Sequence, residues 1–219
     1  MVDRGQAHTL EAVMAGVLLL GSLVFALQVT AVTPLSASTS SQHIENQQAA
    51  TAEGVLAASL DDGSLKRGLL YCNPGAEGVQ EPRFLESGSR QFYTDVPETD
   101  KGPTGFGKKL EAAFGSQSVA YNVELVYDDG SGFVRRKMVY QGNPSDNAVT
   151  VARTVTLLDT DSYSESTDGD GELEVSDKTL RDIEIDASDA DHATCYGETD
   201  TTDSGVHKVV KVEVTVWRQ

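Results

Sequence analysis

The chain has 219 residues, of which 34 are acidic and 17 are basic, so its formal net charge at pH 7 is −17. Sixteen of the acidic residues lie between Asp159 and Asp203, where Lys178 and Arg181 are the only basic residues. A surface of this charge repels nucleic acid and anionic lipid, which excludes both as partners of this region. Carboxylate excess is also typical of proteins that work in concentrated salt, where screening over about 3 Å at 1 M removes the self-repulsion. The composition therefore predicts a halophilic source and loss of structure at low salt.

The first predicted element is a membrane-spanning helix over residues 12–32. These 21 residues include no charge, and Gln28 is their only strongly polar member. At about 1.5 Å per residue they can cross a hydrocarbon layer of about 30 Å. A cleaved secretory signal is the alternative, with residues 36–38 as its small-residue cleavage site. Because Arg4 precedes the span and no basic residue follows it before Lys66, we expect a single-pass protein of the cell membrane with its N-terminus inside and the rest outside.

A second helical pattern follows the span. Residues 35–60 are rich in Ala, Gln and Glu, and apolar or small residues recur close to helical spacing at Ile44, Ala49, Ala52, Val55 and Leu56. Pro34 either kinks one long helix or breaks it into two. A continuous helix from Thr9 to Ser59 would be roughly 77 Å long. Its second half would form the spine of an external domain and end at residues 61–64, which read DDGS.

The residues that precede the span, RGQAHTLE at positions 4–11, resemble the start of the prepilin-like proteins of type IV pilus and archaellum systems. The stretch 28–34 is also similar to uncharacterised pilin-like membrane proteins of haloarchaea. In this family a prepilin peptidase removes a short basic leader that ends in Gly, and the remaining helix packs with its copies into a filament core. The resemblance implies a leader over residues 1–5, a cut between Gly5 and Gln6, and a transmembrane and spine helix over residues 6–60.

The resemblance also implies a role for Glu11, although this residue would be sixth in the mature chain and the family places its carboxylate fifth. A carboxylate in a membrane helix is costly and is normally retained because it finds a partner, and the Gln6 amine of a neighbouring copy would be one. The pair would set the stagger between subunits. Alternatively, Glu11 is solvated at the cytoplasmic interface and favours the positive end of the helix dipole. Gly16 and Gly21 are small residues that let membrane helices approach closely.

The chain contains two cysteines, Cys72 and Cys195. In an oxidising exterior they can form one disulfide that ties the region after the spine to the acidic region near the C-terminus. Free thiols and an intermolecular bond are the alternatives, because spacing alone does not decide between them.

The remainder, residues 61–219, is predicted to be an acidic extracellular head rich in antiparallel strands, which makes the fold class α+β. The strongest signal is a hairpin: residues 121–127 alternate, residues 128–130 supply a turn, and residues 133–140 run back. Another strand begins near Val149, and the β-branched residues 207–217 form the last. We also expect a short helix or strand over residues 65–71, a loop-rich stretch from there to about Gly115, and short strands over residues 173–175 and 180–185.

Three local patterns suggest chemistry, and each has a simpler interpretation. Residues 102–108 have the glycine spacing of a phosphate-binding loop, but the Ser or Thr position is Lys109 and no strand precedes it, so a surface loop is favoured. Acidic residues around 159–172 could supply oxygen ligands to Ca²⁺, with Asp168, Asp170 and Glu172 as the first candidates; a solvated acidic loop is the alternative. A zinc site near Cys195 would use Asp189, Asp191 and His192, but this set is incomplete for zinc.

No local signature of Ser/His/Asp or Cys/His catalysis occurs in the sequence, and no cofactor is expected apart from a possible Ca²⁺. We therefore predict a non-enzymatic, pilin-like surface protein, a major or minor subunit of a type IV pilus-like filament. Its expected partners are the membrane, the prepilin peptidase, and further copies or other pilin-like subunits that bind through the N-terminal helix. The alternatives are a solitary membrane-anchored protein and a secreted or tethered extracellular module that binds Ca²⁺ or glycan.

Overall fold

The structure is a computed structural model that describes residues 4–73, 83–85, 87, 90–94, 104–115, 118–165, 174–182, 195–196 and 204–218. The chain divides into two units, Met1–Asn46 and Gln47–Gln219. The first unit is helical throughout its described residues, and the second holds the end of the same helix together with a small antiparallel sheet domain. The fold is therefore α+β, as the sequence predicts.

Helix α1 spans Arg4–Asp61 and continues through Pro34. It ends as the sequence predicts, because the next residues leave the helical conformation in a defined way. Gly63 adopts φ 71°, a left-handed conformation that glycine takes without steric cost. The Asp62 amide still donates to the carbonyl of Ala58 at 3.2 Å, and the carboxylate of Asp62 accepts from the Ser64 amide at 2.9 Å. The chain is thereby redirected into helix α2, Ser64–Leu70.

The last turns of α1 belong to the second unit, which begins at Gln47. Ala52 and Leu56 are fully buried there, and Ala49 and Val55 pack against the same core. The compact head thus starts inside the helix, ahead of the predicted boundary between residues 60 and 61. These four residues are among those that recur at helical spacing in the sequence.

A four-stranded antiparallel sheet forms the centre of the second unit. Its strands are β3 (Val119–Asp128), β4 (Phe133–Tyr140), β5 (Val149–Leu158) and β8 (Val206–Arg218), in the order β4-β3-β8-β5. The strand that ends the described chain therefore lies between β3 and β5. The predicted hairpin is confirmed, with a turn in which the Asp129 amide donates to the carbonyl of Gly132 at 3.0 Å.

The inner face of the sheet is the one that the alternation predicts. In each of the two central strands, four alternating residues are buried. They are Tyr121, Val123, Leu125 and Tyr127 of β3 and Val210, Val212, Val214 and Val216 of β8. They share one hydrophobic core with α1, α2 and helix α3, Thr104–Leu110. The sheet is closed on this side by helices, and its opposite face carries the charged residues Glu124, Arg135 and Glu213 together with apolar residues such as Phe133 and Val209.

Two short pairs complete the described elements. Strand β1 (Cys72–Asn73) pairs with β2 (Arg83–Phe84), and β6 (Ser162–Glu165) pairs with β7 (Glu174–Thr179). The sequence did not predict β1, β2 or β6. It placed a strand over residues 180–185, which is wrong for residues 180–182 because they are helical and bury Leu180; residues 183–185 lie outside the described residues.

The prediction of a loop-rich stretch up to Gly115 is wrong for residues 104–115. Helix α3 continues there into a π-helical turn, Glu111–Gly115. Phe106, Leu110 and Phe114 are spaced by four residues and are all buried against the core. This spacing is typical of one face of a helix. The prolines and glycines in and before this segment, however, favour a loop when the sequence is considered alone.

Candidate functional site

The most exposed apolar surface of the described chain is the segment His8–Gln28 of helix α1. This segment has a mean hydropathy of 2.2 over 21 residues and is long enough to cross a membrane. Its large side chains are 52–71 % exposed, from Val24 at the low end to Leu10, Leu18 and Leu19 at the high end. None of this segment is buried. A helix of this kind near the N-terminus serves as a membrane anchor or as a signal sequence.

Glu11 is the only carboxylate in this segment. Its Oε2 lies 3.7 Å from Nδ1 of His8, one turn earlier, and both side chains are about four-fifths exposed. The pair is ionic only when the imidazole is protonated. The predicted processing residues, Gly5 and Gln6, lie in the first turns of α1, where the structure describes only the backbone.

The two glycines of the span have no intramolecular explanation in the described chain. A Cβ atom added to Gly16 or to Gly21 would meet nothing within 4 Å, so larger residues would fit both positions. Neither glycine adopts a positive φ that would require the absence of a side chain. Their small size is therefore available to a contact with another helix, as in close-packed membrane helices.

The head is closed by a disulfide between Cys72 and Cys195, which are 123 residues apart in sequence and have Cα atoms 6.4 Å apart. Of the alternatives that the sequence leaves open, the structure has the intramolecular bond. Both residues are 1 % exposed. The bond links β1, directly after α2, to the only described residues between positions 183 and 203. The bond therefore adds a buried covalent link between the acidic region and the rest of the head.

Three further contacts hold Cys195 and Tyr196 at this point. The guanidinium of Arg136 donates to the carbonyl of Cys195 at 2.6 Å, and the hydroxyl of Tyr196 donates to the carbonyl of Leu69 at 2.6 Å. The amide of Cys195 donates to the hydroxyl of Tyr163 at 3.4 Å. Complete burial raises the pKa of Tyr196, so its phenol stays protonated and donates.

Arg136 is placed by its strand and held over an aromatic ring. Its guanidinium carbon lies 4.6 Å from the ring centre of Phe84 in β2, within cation–π distance. Its position on the inner side of β4 follows from the pairing with Leu125, a core residue of β3. Arg136 has no local signature in the sequence, because its partners Phe84 and Cys195 are 52 and 59 positions away.

One described pair has the geometry of a nucleophile and a base. The Lys109 ammonium lies 2.8 Å from the hydroxyl oxygen of Ser64. The same ammonium also donates to the carboxylate of Asp62, and this bond holds the pKa of Asp62 well below its usual range. The Lys109 ammonium is therefore bonded to both Asp62 and Ser64. Ser64 is also fully buried, so the three residues serve to join α2 and α3 to the turn that follows α1.

Two of the sites considered from the sequence, the phosphate-binding loop at residues 102–108 and the zinc site near Cys195, find no support in the described structure. Residues 104–108 begin helix α3, and a Cβ atom on Gly105 would lie 3.1 Å from that of Ser64, so this glycine serves helix packing. Cys195 is bonded to Cys72 and has no thiolate for zinc. Asp168, Asp170, Glu172, Asp189, Asp191 and His192 lie outside the described residues. In the part of the chain that the structure describes, no group of three or more His, Cys, Asp or Glu side chains is placed to hold a metal ion.

The outer face of the sheet carries a network of charges that crosses three strands. Arg135 of β4 donates to Glu213 of β8 at 2.6 Å and to Glu124 of β3 at 3.2 Å. The ammonium of Lys211 lies 2.6 Å from the other carboxylate oxygen of Glu213. These bonds, first the one from Lys211, lower the pKa of Glu213. The outward direction of Glu213 could be predicted from its place between two buried valines, but its partners could not.

Together these features define a class of protein: a chain with one exposed apolar N-terminal helix and a small, disulfide-bonded antiparallel β head. The chain belongs to the DUF7288 family, described as a family of unknown function, whose model matches residues 4–216. The match covers the helix and the head together. No curated protein and no solved structure shows a significant match to the chain.

Proposed function

We propose that the chain is a non-enzymatic, pilin-like surface protein whose N-terminal helix holds it in the membrane and packs against other copies. The observation that carries this proposal is the uncovered apolar surface of residues 8–28. Apolar area of this extent is unfavourable in water and must be covered by lipid or by other helices. Gly16 and Gly21 favour close helix contacts, since nothing in the described chain requires a glycine at either position.

The proposed topology places the N-terminus inside and the head outside the cell membrane. Two independent features support it. Arg4 precedes the apolar segment and no Lys or Arg follows it before Lys66, which favours a cytoplasmic N-terminus. The head contains a buried disulfide, and such bonds persist in oxidising, extracytoplasmic compartments.

In this proposal a prepilin peptidase cuts between Gly5 and Gln6 and leaves a new α-amino group one and a half turns before Glu11. Within the described chain the basic side chain near Glu11 is that of His8, whose Nδ1 lies 3.7 Å from the carboxylate. The α-amino group of a second copy would be a further partner of opposite charge, since the ordinary pKa of such a group is about 7.7–8.0. The pair would fix the axial position of one helix against the next, as a helical assembly requires.

The deciding experiment is the intact mass and N-terminal sequence of the mature protein isolated from its native membranes. A start at Gln6 supports the proposal. A start near Thr39 would identify a secreted domain released from a signal sequence, and a retained N-terminus would identify a plain membrane anchor. Either of the latter results overturns the proposed processing.

Assembly is tested separately with Glu11→Gln, which keeps the size of the side chain and removes its charge. We expect the variant to reach the membrane and to lose surface filaments, as seen by electron microscopy and by sedimentation of sheared filaments. Glu53→Gln is the matched control, because Glu53 is an exposed carboxylate on the same helix. Filaments in normal number with Glu11→Gln would contradict the role of this carboxylate.

The two glycines supply a second test of assembly. Gly16→Leu and Gly21→Leu keep the segment apolar and helical, and neither meets an obstacle in the isolated chain. A solitary anchor should tolerate both, whereas close-packed helices should not. Gly54→Leu is the control, since Gly54 lies on the same helix with equally open surroundings but outside the apolar segment. Normal filaments with all three variants would show that the glycines do not lie at a helix contact.

A further inference from the structure

The two edges of the four-stranded sheet are built differently. At the β4 edge, the amide of Tyr93 donates to the carbonyl of Met138 at 2.9 Å, and the amide of Tyr140 donates to the carbonyl of Tyr93 at 2.8 Å. At the β5 edge, β8 is the only partner among the strands that the structure describes. A strand edge offers backbone donors and acceptors to any extended segment, including the same edge of another copy.

Strand β5 has the composition of a strand that pairs readily. Six of its ten residues are Val or Thr, and it contains no Pro, no Gly and no acidic residue. Its single charge is that of Arg153. Without this charge, residues 149–158 would form a neutral strand rich in β-branched side chains, and such strands are prone to join edge to edge.

Arg153 occupies a position that the strand pattern assigns to the core side of the sheet. It lies between Val151 and Val155, which are 8 % and 3 % exposed, and it is directly opposite the fully buried Val212. Because residues opposite each other in an antiparallel pair share a face, the Arg153 side chain leaves β5 on the inner side. An inward-pointing charged residue on an edge strand is one of the means by which sheet proteins avoid edge-to-edge pairing.

The guanidinium of Arg153 is held against its own strand. It donates to the carbonyl of Ala152 at 3.1 Å, and the residue is only half-buried, so the charge keeps contact with water. A second strand that docked along β5 would cover the guanidinium and remove that water. Burial of a charge without a partner of opposite charge is strongly unfavourable. If the second strand were β5 of another copy, it would bring a second positive charge to the same contact.

We propose that Arg153 prevents β5 from pairing with β5 of a second copy, so that heads held close together in one membrane remain separate. The net charge of −17 does not achieve this in concentrated salt, because screening at 1 M limits the repulsion to about 3 Å. A guanidinium that must lose water before the strands meet acts at contact distance and therefore at any salt concentration. This role requires a high local concentration of heads but not the assembly of the helices.

The test compares variants of the full chain in its native membrane, each with a photo-reactive phenylalanine analogue in place of Thr156, an exposed residue of β5. In the chain with Arg153, few adducts between copies should map to residues 149–158. Arg153→Val should raise the yield of these adducts about tenfold or more, because strand pairing no longer buries a charge. Arg153→Lys keeps the charge and should stay at the original yield. Arg218→Val, which removes one positive charge from the end of β8, should also leave the yield unchanged.

Urea unfolding followed by the fluorescence of Trp217 checks that each variant is folded. Arg153→Thr is a second neutral variant, which replaces Arg153→Val if the valine chain does not fold. An unchanged adduct yield in a folded neutral variant would overturn the role of Arg153, and so would an equally high yield in the chain that retains Arg153. A rise of the same size in Arg153→Lys or Arg218→Val would overturn it as well, since the charge at position 153 would then not be responsible.

Discussion

Removal of the disulfide is the sharpest test of how the head is held together. The double variant Cys72→Ala/Cys195→Ala deletes one covalent link and little else, because both side chains are small and buried. The bond closes a loop over a sequence separation of 123 residues. The chain-entropy relation gives about 5 kcal/mol for a loop of this length, and native disulfides are typically worth about 2–5 kcal/mol. We expect the free energy of unfolding to fall within that range.

The size of this loss follows from the unfolded state rather than from the native contacts. Arg136, Tyr163 and Leu69 hold Cys195 and Tyr196 in place through hydrogen bonds that do not involve sulfur. The folded head should therefore keep its geometry without the bond. The unfolded chain, in contrast, becomes longer and more exposed, so the dependence of the unfolding free energy on denaturant concentration should steepen.

The assay is urea unfolding at fixed high salt, followed by the fluorescence of Trp217. This residue is the only tryptophan in the chain and is 5 % exposed in the central strand β8. The wild-type chain with reductant should reproduce the double variant. A loss below about 1 kcal/mol together with an unchanged denaturant slope would refute the reasoning, since the bond would then not constrain the unfolded ensemble.

Three further predictions concern the head. Burial, followed by the charge of Lys208, lowers the pKa of His207 from 6.5 to about 4. The unfolded chain therefore binds more protons than the folded chain below pH 6.5, and the free energy of unfolding should fall between pH 7 and pH 5. In urea unfolding at both pH values, this fall should be about 2 kcal/mol larger in the wild type than in His207→Gln. An equal fall in both chains would contradict this assignment. Tyr196→Phe should destabilise the head by about 1–3 kcal/mol, because the carbonyl of Leu69 loses a buried donor. Tyr163→Phe should destabilise the head less, because the hydrogen bond between the Cys195 amide and the Tyr163 hydroxyl is longer. The reverse order of the two losses in urea unfolding would rule this out. Lowering the salt from about 1 M to about 0.1 M extends the screening length from about 3 Å to about 10 Å, so the melting temperature of the head should fall, and a constant or higher value would contradict halophilic behaviour.

Local regularities of the sequence predicted much of the sheet. Alternation identified β3, β4 and β8 and the inward direction of their valines, because one buried face leaves a period of two in the sequence. Local turn chemistry likewise predicted the end of α1 at Gly63. These features depend on residues only a few positions apart, so a single sequence contains the necessary information.

Contacts between distant residues could not be predicted in the same way. The position of β8 between β3 and β5, the stacking of Arg136 on Phe84 and the Lys109–Asp62 bond each join residues 47 or more positions apart. Helix α3 was missed for a different reason: glycine and proline are poor helix formers, but burial of Phe106 and Leu110 outweighs that preference in the folded head. For the candidate site, the apolar helix and the two cysteines were evident in the sequence, whereas the contacts of Arg135 with Glu124 and Glu213 required the strand register.

The helix and the head support the proposed topology by unrelated physical arguments. Basic residues near an apolar segment bias its orientation during insertion, and in the proposed topology this bias favours an external position for the chain after residue 28. The disulfide concerns redox chemistry alone, and a buried bond between β1 and Cys195 fits the same external compartment. A small domain that is stabilised by a disulfide does not need the large hydrophobic core that would otherwise stabilise it. Such a small head suits the proposed protein, in which many copies would each be carried on a membrane helix. The proposal therefore joins an exposed apolar helix, which lipid or other helices would cover, to a head that a buried disulfide holds together.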